Sequence, residues 1–220
     1  MMIGANMKTI LMAGVFSMAA IASQAETTQI YWDDLAPAPE PYENPFAGME
    51  SDQLQRLANL LRYETQSPEA LDEAARSDAA SLRQSLTAEG LDVDGLFEQR
   101  LVVMQAREKA ANTPNAEILG QSIRLGGYVL PLEMEGEKAT EFLLVPTVGA
   151  CIHVPPPPAN QMVHVSYPSG FAVTGLYDPV WITGEIRAEH AMRDVNYSDG
   201  ASQVAVSYTM HAGAVEPYTD

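Results

Sequence analysis

The chain has 220 residues, 46% of them hydrophobic and 19% charged, which is enough apolar material for a sizeable core and too much for a disordered tail. Twelve Lys and Arg stand against 29 Asp and Glu, a net charge of −17. That balance argues against a nucleic-acid binder that tracks phosphates and against docking on an anionic lipid surface. The single cysteine, Cys151, excludes an internal disulfide and an all-cysteine metal site.

Lys8 is the only charged residue before Glu26, and an apolar stretch from Ile10 to Ala22 follows it, closed by Ser23-Gln24-Ala25. A positive start, a short apolar run and a small-x-small ending predict a signal peptide over residues 1–25, cleaved after Ala25. The run is too short to span a bilayer, which needs about 20 apolar residues. Met7 reads as the natural start. No cysteine stands at the cleavage site, so the mature protein is expected to be periplasmic, free of a membrane span and not a lipoprotein. In that oxidising setting a lone Cys151 is buried, metal-bound or chemically used.

Residues 26–49 hold Pro37, Pro39, Pro41 and Pro45 with Tyr31, Trp32, Tyr42 and Phe46 between them, which predicts an extended arm lying on the rest of the protein. Residues 50–114 are helical in pattern. Ser51 is an N-cap candidate before the stripe Leu54, Leu57, Leu60 and Leu61. Ser67-Pro68-Glu69 starts a second helix that Gly90 ends. A third runs from Asp94 to about Ala111 with Leu96, Phe97, Leu101 and Met104 facing inward, and Asp92-Val93-Asp94-Gly95 reads as its cap rather than a calcium loop.

Residues 115–220 turn to β character. Five strands are predicted: Ile123 to Met134, Thr140 to Val145, Gln161 to Tyr167, Pro179 to Arg187 and Gln203 to Met210. Glu135-Gly136-Glu137-Lys138 is a hairpin turn between the first two. Five short strands suit a small closed barrel, OB-like before a sandwich, and Gly126-Gly127 allows the coiling it needs. The fold class is therefore α+β: an acidic helical N-terminal region packed on a five-stranded OB-like β-barrel.

The chemistry concentrates in "FLLVPTVGACIHVPPPPANQ", residues 142–161. Cys151 and His153 stand two apart and share a face in extended backbone. They are sound zinc or copper ligands, with His164 as a natural third and Asp178, His190 or His211 as a fourth. The bland alternative is a buried thiol with His153 bonded to a backbone carbonyl. A catalytic alternative is a thiol-based enzyme or redox-active protein in which His153 activates Cys151 and Asn160 orients the imidazole. No nucleophile elbow, phosphate loop or HExxH motif supports an enzyme. Pro155, Pro156, Pro157 and Pro158 form a stiff rod suited to display, with Asn160 and Gln161 behind it. Trp32, Trp181 and Tyr218 are candidate anchors for a partner. For Trp181, inside Val180-Trp181-Ile182, a core position is the favoured reading.

The segments "YWDDLAP", "GYVLPLE", "TEFLLVPTVGACIHVPPPPANQMVHV", "PVWITGEI" and "VEPY" together resemble the bacterial family DUF3299, from Tyr31 to Tyr218. Thr147-Val148 departs from the aromatic pair expected there. The resemblance implies an exported accessory protein encoded near transporter components, sometimes in zinc-responsive gene clusters, with no settled activity. The expected function is a non-enzymatic exported accessory protein that binds an envelope transporter component or another periplasmic protein. Its sharper form is a zinc-linked role at Cys151, His153 and His164. The expected partner surface is Trp32, Pro155 to Pro158, Asn160 and Gln161.

Overall fold

The structure is a computed structural model and describes residues 26–148, 156–175, 177–197 and 200–218. The described residues form a mixed α+β protein with three α-helices, α1 (Ser51–Glu64), α2 (Glu73–Ala88) and α3 (Val93–Asn112), and one six-stranded sheet. The strands are β1 (Thr28–Gln29), β2 (Ser122–Glu135), β3 (Lys138–Val145), β4 (Val163–Ala172), β5 (Asp178–Tyr197) and β6 (Gly200–Pro217).

The helix ends follow local hydrogen bonding. Ser51 is not the cap expected of it: Glu50 takes that position, and its own N–H donates to Gln53 Oε1 at 3.3 Å. Ser67-Pro68-Glu69 likewise starts only a 3-10 turn, Pro68–Ala70. The second helix begins after Asp72, whose carboxylate accepts from the Ala75 N–H at 2.8 Å and satisfies one of the free donors of the first turn. Gly90 ends α2 in the left-handed region at φ +86°, where a side chain would be strained. Asp92 caps α3 through the Gly95 N–H at 3.1 Å.

Leu57, Leu60, Leu86 and Val93 form the helical core. Leu96 and Phe97 pack against it, but Leu101 and Met104, expected to face inward, are 55% and 48% exposed. Val93, Leu96 and Phe97, in the first turns of α3, meet α1 and α2. Beyond them the helix runs toward the sheet, where Ser207 Oγ donates to the Asn112 carbonyl at 2.7 Å.

The strand order is β1-β2-β3-β4-β6-β5, and β5 pairs again with β2. β2, β3, β4, β6 and β5 therefore pair in a circuit that returns to its start. β4 and β6 run parallel, as do β1 and β2, and the other pairs are antiparallel. The five predicted strands are all present. The two-residue β1 was not predicted, and β5 and β6 reach well past the predicted Arg187 and Met210.

Alternation divides the buried residues between two faces. Phe142, Leu144, Val163, Val165, Ile182, Tyr208 and Met210 share one core. Leu143, Val145 and Met162, on the opposite face, pack with Val195, Val204 and Val206 from the far half of the β5–β6 hairpin. Register shifts at Thr183/Gly184 and Ala188/Ala191 supply the bends that bring this hairpin across. The arm lies along the sheet. Its Leu35 is fully buried, and the Tyr208 hydroxyl donates to the Leu35 carbonyl at 2.5 Å and accepts from the Asn115 N–H at 2.6 Å. Burial pushes the Tyr208 pKa above its usual 10, and the Asn115 hydrogen bond partly opposes the rise.

Candidate functional site

Two consecutive glycines in β2 face opposite sides of the sheet, and each leaves room for one ring. A Cβ on Gly126 would stand 3.0 Å from the Trp181 ring, and one on Gly127 would stand 2.9 Å from Trp32 Cζ2. The Trp32 Nε1–H donates to the Gly126 carbonyl at 2.8 Å, which fixes that indole. Trp181 stacks on Tyr218 with centroids 5.1 Å apart and planes 18° from parallel. The Arg124 guanidinium lies 4.5 Å from the Trp181 ring centroid, within cation–π range, and pairs with Glu216 at 3.4 Å.

The result is a cleft of about 350 Å3 whose wall includes Tyr31, Trp32, Tyr128, Trp181 and Tyr218, with Pro146 at its edge. Tyr31 is 64% exposed and Tyr218 46%. The core position expected for Trp181 does not hold. Val180 and Ile182 are fully buried, so the alternation of β5 turns Trp181 to the outer face, where it is half-buried. The three anchors named from sequence, Trp32, Trp181 and Tyr218, thus meet at one place. Among the described residues, the cleft is lined by rings, glycines, prolines and aliphatic groups, with no carboxylate, imidazole or thiol. Such a surface binds through apolar contact, ring faces and the exposed tyrosine hydroxyls.

Asn160 and Gln161, expected on the partner surface, act internally. Asn160 is 2% exposed, and its amide donates to the carbonyls of Ala110 at 2.7 Å and Thr113 at 3.0 Å, covering the C-terminal end of α3. The Gln161 amide donates to the Trp32 carbonyl at 3.0 Å. These three bonds bolt the 3-10 turn Ala159–Gln161 to helix and arm, and Pro156 and Pro158 stand exposed just before it. Pro155 lies outside the described residues.

Cys151 and His153 also lie outside the described residues. His164 is 7% exposed between strands, with Nε2 3.2 Å from Glu141 Oε2 and Nδ1 3.3 Å from an Arg193 terminal nitrogen. A guanidinium can only donate, so Nδ1 accepts and the ring proton sits on Nε2, facing the carboxylate. Glu189 takes the same Arg193 nitrogen at 2.7 Å. Both ring nitrogens are therefore engaged, and this polar set fastens the far half of the hairpin to β3 and β4. Arg193 Nε is buried without a hydrogen-bond partner among the described residues. Of the fourth-ligand candidates, Asp178 closes its own turn, accepting from the Thr174 N–H at 2.6 Å, while His190 and His211 are exposed. Among the described residues no three of His, Cys, Asp and Glu gather as a metal site requires.

Sequence patterning missed the cleft as a place. It singled out the aromatics one by one but could not see that Gly126 makes room for Trp181 and Gly127 for Trp32. No described helix is long and apolar enough to cross a membrane. No curated protein matches the chain. A crystal structure of a DUF3299 family protein from Pseudomonas aeruginosa PAO1 is similar to it, with 27% identity, 89% of this chain and 98% of that chain covered, and a TM-score of 0.47. The family model described as "Protein of unknown function (DUF3299)" matches residues 32–217, and the chain belongs to that family.

Proposed function

We propose that the protein is an exported, non-enzymatic accessory protein that docks a component of an envelope transport system in the aromatic cleft. One observation carries the reading: both tryptophans of the chain, Trp32 and Trp181, line a single outward cleft together with Tyr218. Trp and Tyr supply large contact area at low entropic cost and dominate binding hot spots. Pro156 and Pro158 are exposed just before the turn that Gln161 ties to Trp32, and they are offered as a further part of the docking surface. An extended apolar or proline-containing segment of the partner fits such a groove. Export rests on the leader pattern of residues 1–25.

The scaffold reading that accompanies this is an OB-like barrel. It is supported by the circuit of five strands and the parallel pairing of β4 with β6. The zinc-linked form of the proposal centres on Cys151 and His153, because the His164 ring is already held by Glu141 and Arg193.

A photo-cross-linking residue placed at Tyr31 in the full chain, in its native cells, tests the docking. The expected result is a discrete adduct that is lost in the Trp181→Ala, Tyr218→Ala double variant and absent when the probe sits at Glu69 on the helical side. The same adducts from both positions, or none from Tyr31, would overturn it. Elemental analysis of the purified protein beside a Cys151→Ser, His153→Ala double variant tests the zinc form, which requires one ion held by the first and not by the second.

A further inference from the structure

A second and larger apolar hollow opens on the helical side, between α1 and α3. Its volume is about 710 Å3, inside the roughly 300–1,000 Å3 usual for small-ligand sites. Leu54, Leu57 and Leu61 recur three and four residues apart and so share one face of α1, while Phe97 and Met104 share one face of α3. Leu54 and Met104 are 36% and 48% exposed, so the apolar wall is open to solvent.

The charges around this wall set it apart. Arg62, Arg100 and Arg107 all line it. Every other arginine of the chain pairs with a carboxylate: Arg56 with Asp52 and Glu89, Arg76 with Glu73, Arg83 with Glu64 and Asp94, Arg124 with Glu216, Arg187 with Glu185, and Arg193 with Glu189. The three groove arginines have no carboxylate partner among the described residues, and Arg62 lies over the Tyr63 ring at 5.7 Å. In a chain of net charge −17, three uncompensated guanidinium groups around one apolar hollow make a local field opposite to the global one.

We propose that this groove holds a single-chain amphiphile with a carboxylate head, its alkyl chain on the leucines and its head among the arginines. A guanidinium fork matches a carboxylate through two parallel hydrogen bonds, and burying the chain removes apolar surface from water. The chain's own apolar stretch, residues 10–22, carries no carboxylate and does not supply the missing counter-charge.

The test is calorimetric titration of the full chain with decanoate below its micellar concentration, beside decanol and decyltrimethylammonium as neutral and cationic chains of equal length. Decanoate should bind saturably at one per chain and the other two much more weakly. An Arg100→Gln, Arg107→Gln double variant should weaken decanoate binding about tenfold or more, since it removes charge-assisted hydrogen bonds, while the melting temperature holds. Equal binding of decanol, or unchanged decanoate affinity in the double variant, would overturn the proposal. Silence toward decanoate would also overturn it and leave the groove to a protein segment. A dimer in sedimentation that Arg100→Glu disperses would assign the groove to a second copy, again against the proposal. Neither tryptophan lines this groove, so an emission change on adding decanoate that survives in the double variant would place binding in the aromatic cleft and refute the assignment.

Discussion

Replacing Tyr208 with Phe removes one oxygen from the point where the arm, the segment after α3 and β6 meet. The ring is fully buried and stays packed, so the change isolates two hydrogen bonds, from the hydroxyl to the Leu35 carbonyl and from the Asn115 N–H to the hydroxyl. The two groups left behind are not stranded, because the Asn115 N–H also reaches the Leu35 carbonyl at 3.3 Å. The loss is then nearer the net worth of two hydrogen bonds than the larger penalty of orphaned buried groups, about 2 kcal/mol in all. For a protein of this size that corresponds to a melting temperature lower by about 4–8 °C, measured by circular dichroism at pH 7. Alkaline pH adds a second readout. Burial raises the folded-state pKa of Tyr208, so the unfolded chain releases this proton first. The stabilisation is complete below the usual value of 10 and falls as pH rises through the folded value. The gap between wild type and Tyr208→Phe should therefore narrow above pH 10. A melting temperature within about 1 °C of wild type at pH 7, or a gap that widens in alkali, would refute the reasoning.

Asn160→Ala should cost about 1–3 kcal/mol by leaving the Ala110 and Thr113 carbonyls without their donor, and hydrogen exchange should quicken in the last turn of α3 before elsewhere. Gly184→Ala should destabilise by at least about 1–3 kcal/mol in urea unfolding, because its Cβ would overlap the His211 carbonyl, which is backbone and has no rotamer to escape by. Gly213→Ala, with only Thr183 O near its Cβ at 3.8 Å, should unfold close to wild type. Hydrogen bonds from Arg56 and Arg83 hold the Glu89 and Asp94 carboxyls below their ordinary values of 4.5 and 3.8. Their support of the helical region is present above those values and lost as pH falls through the depressed ones. Helical ellipticity should therefore decline in acid, and Arg83→Met should flatten the part of that decline due to Asp94.

Strand identity was legible where alternation or β-branching was strong, and strand length was not. In Ala188 to Tyr197 Glu189 and Arg193 share the inward face with Ala191 and Val195, because they hold the buried His164 there, and so they break the apolar period. Two residues cannot carry a period, so Thr28–Gln29 was invisible, and its pairing with β2 depends on a partner 95 residues away. The cap at Asp92 and the stop at Gly90 were legible because they are local. Glu141, Glu189 and Arg193 escaped notice because nothing in their own neighbourhoods announces that His164 lies between them. Asn160 was conspicuous beside the proline rod, but the carbonyls it serves lie some fifty residues earlier, at the end of α3.

The bond between Leu35 and Tyr208 joins residues 173 positions apart, one near the start of the described chain and the other in its last strand. Chains are made from the N-terminus, so the arm is complete long before the strand that locks it exists. Until β6 arrives, Leu35 has no lid, and contacts of such long range are closed slowly. Closure over Leu35 is therefore a late event in maturation, whereas Trp32 can reach Gly126 before it. It reports that the last strand has arrived: a product cut short before Tyr208 cannot close Leu35 under that strand.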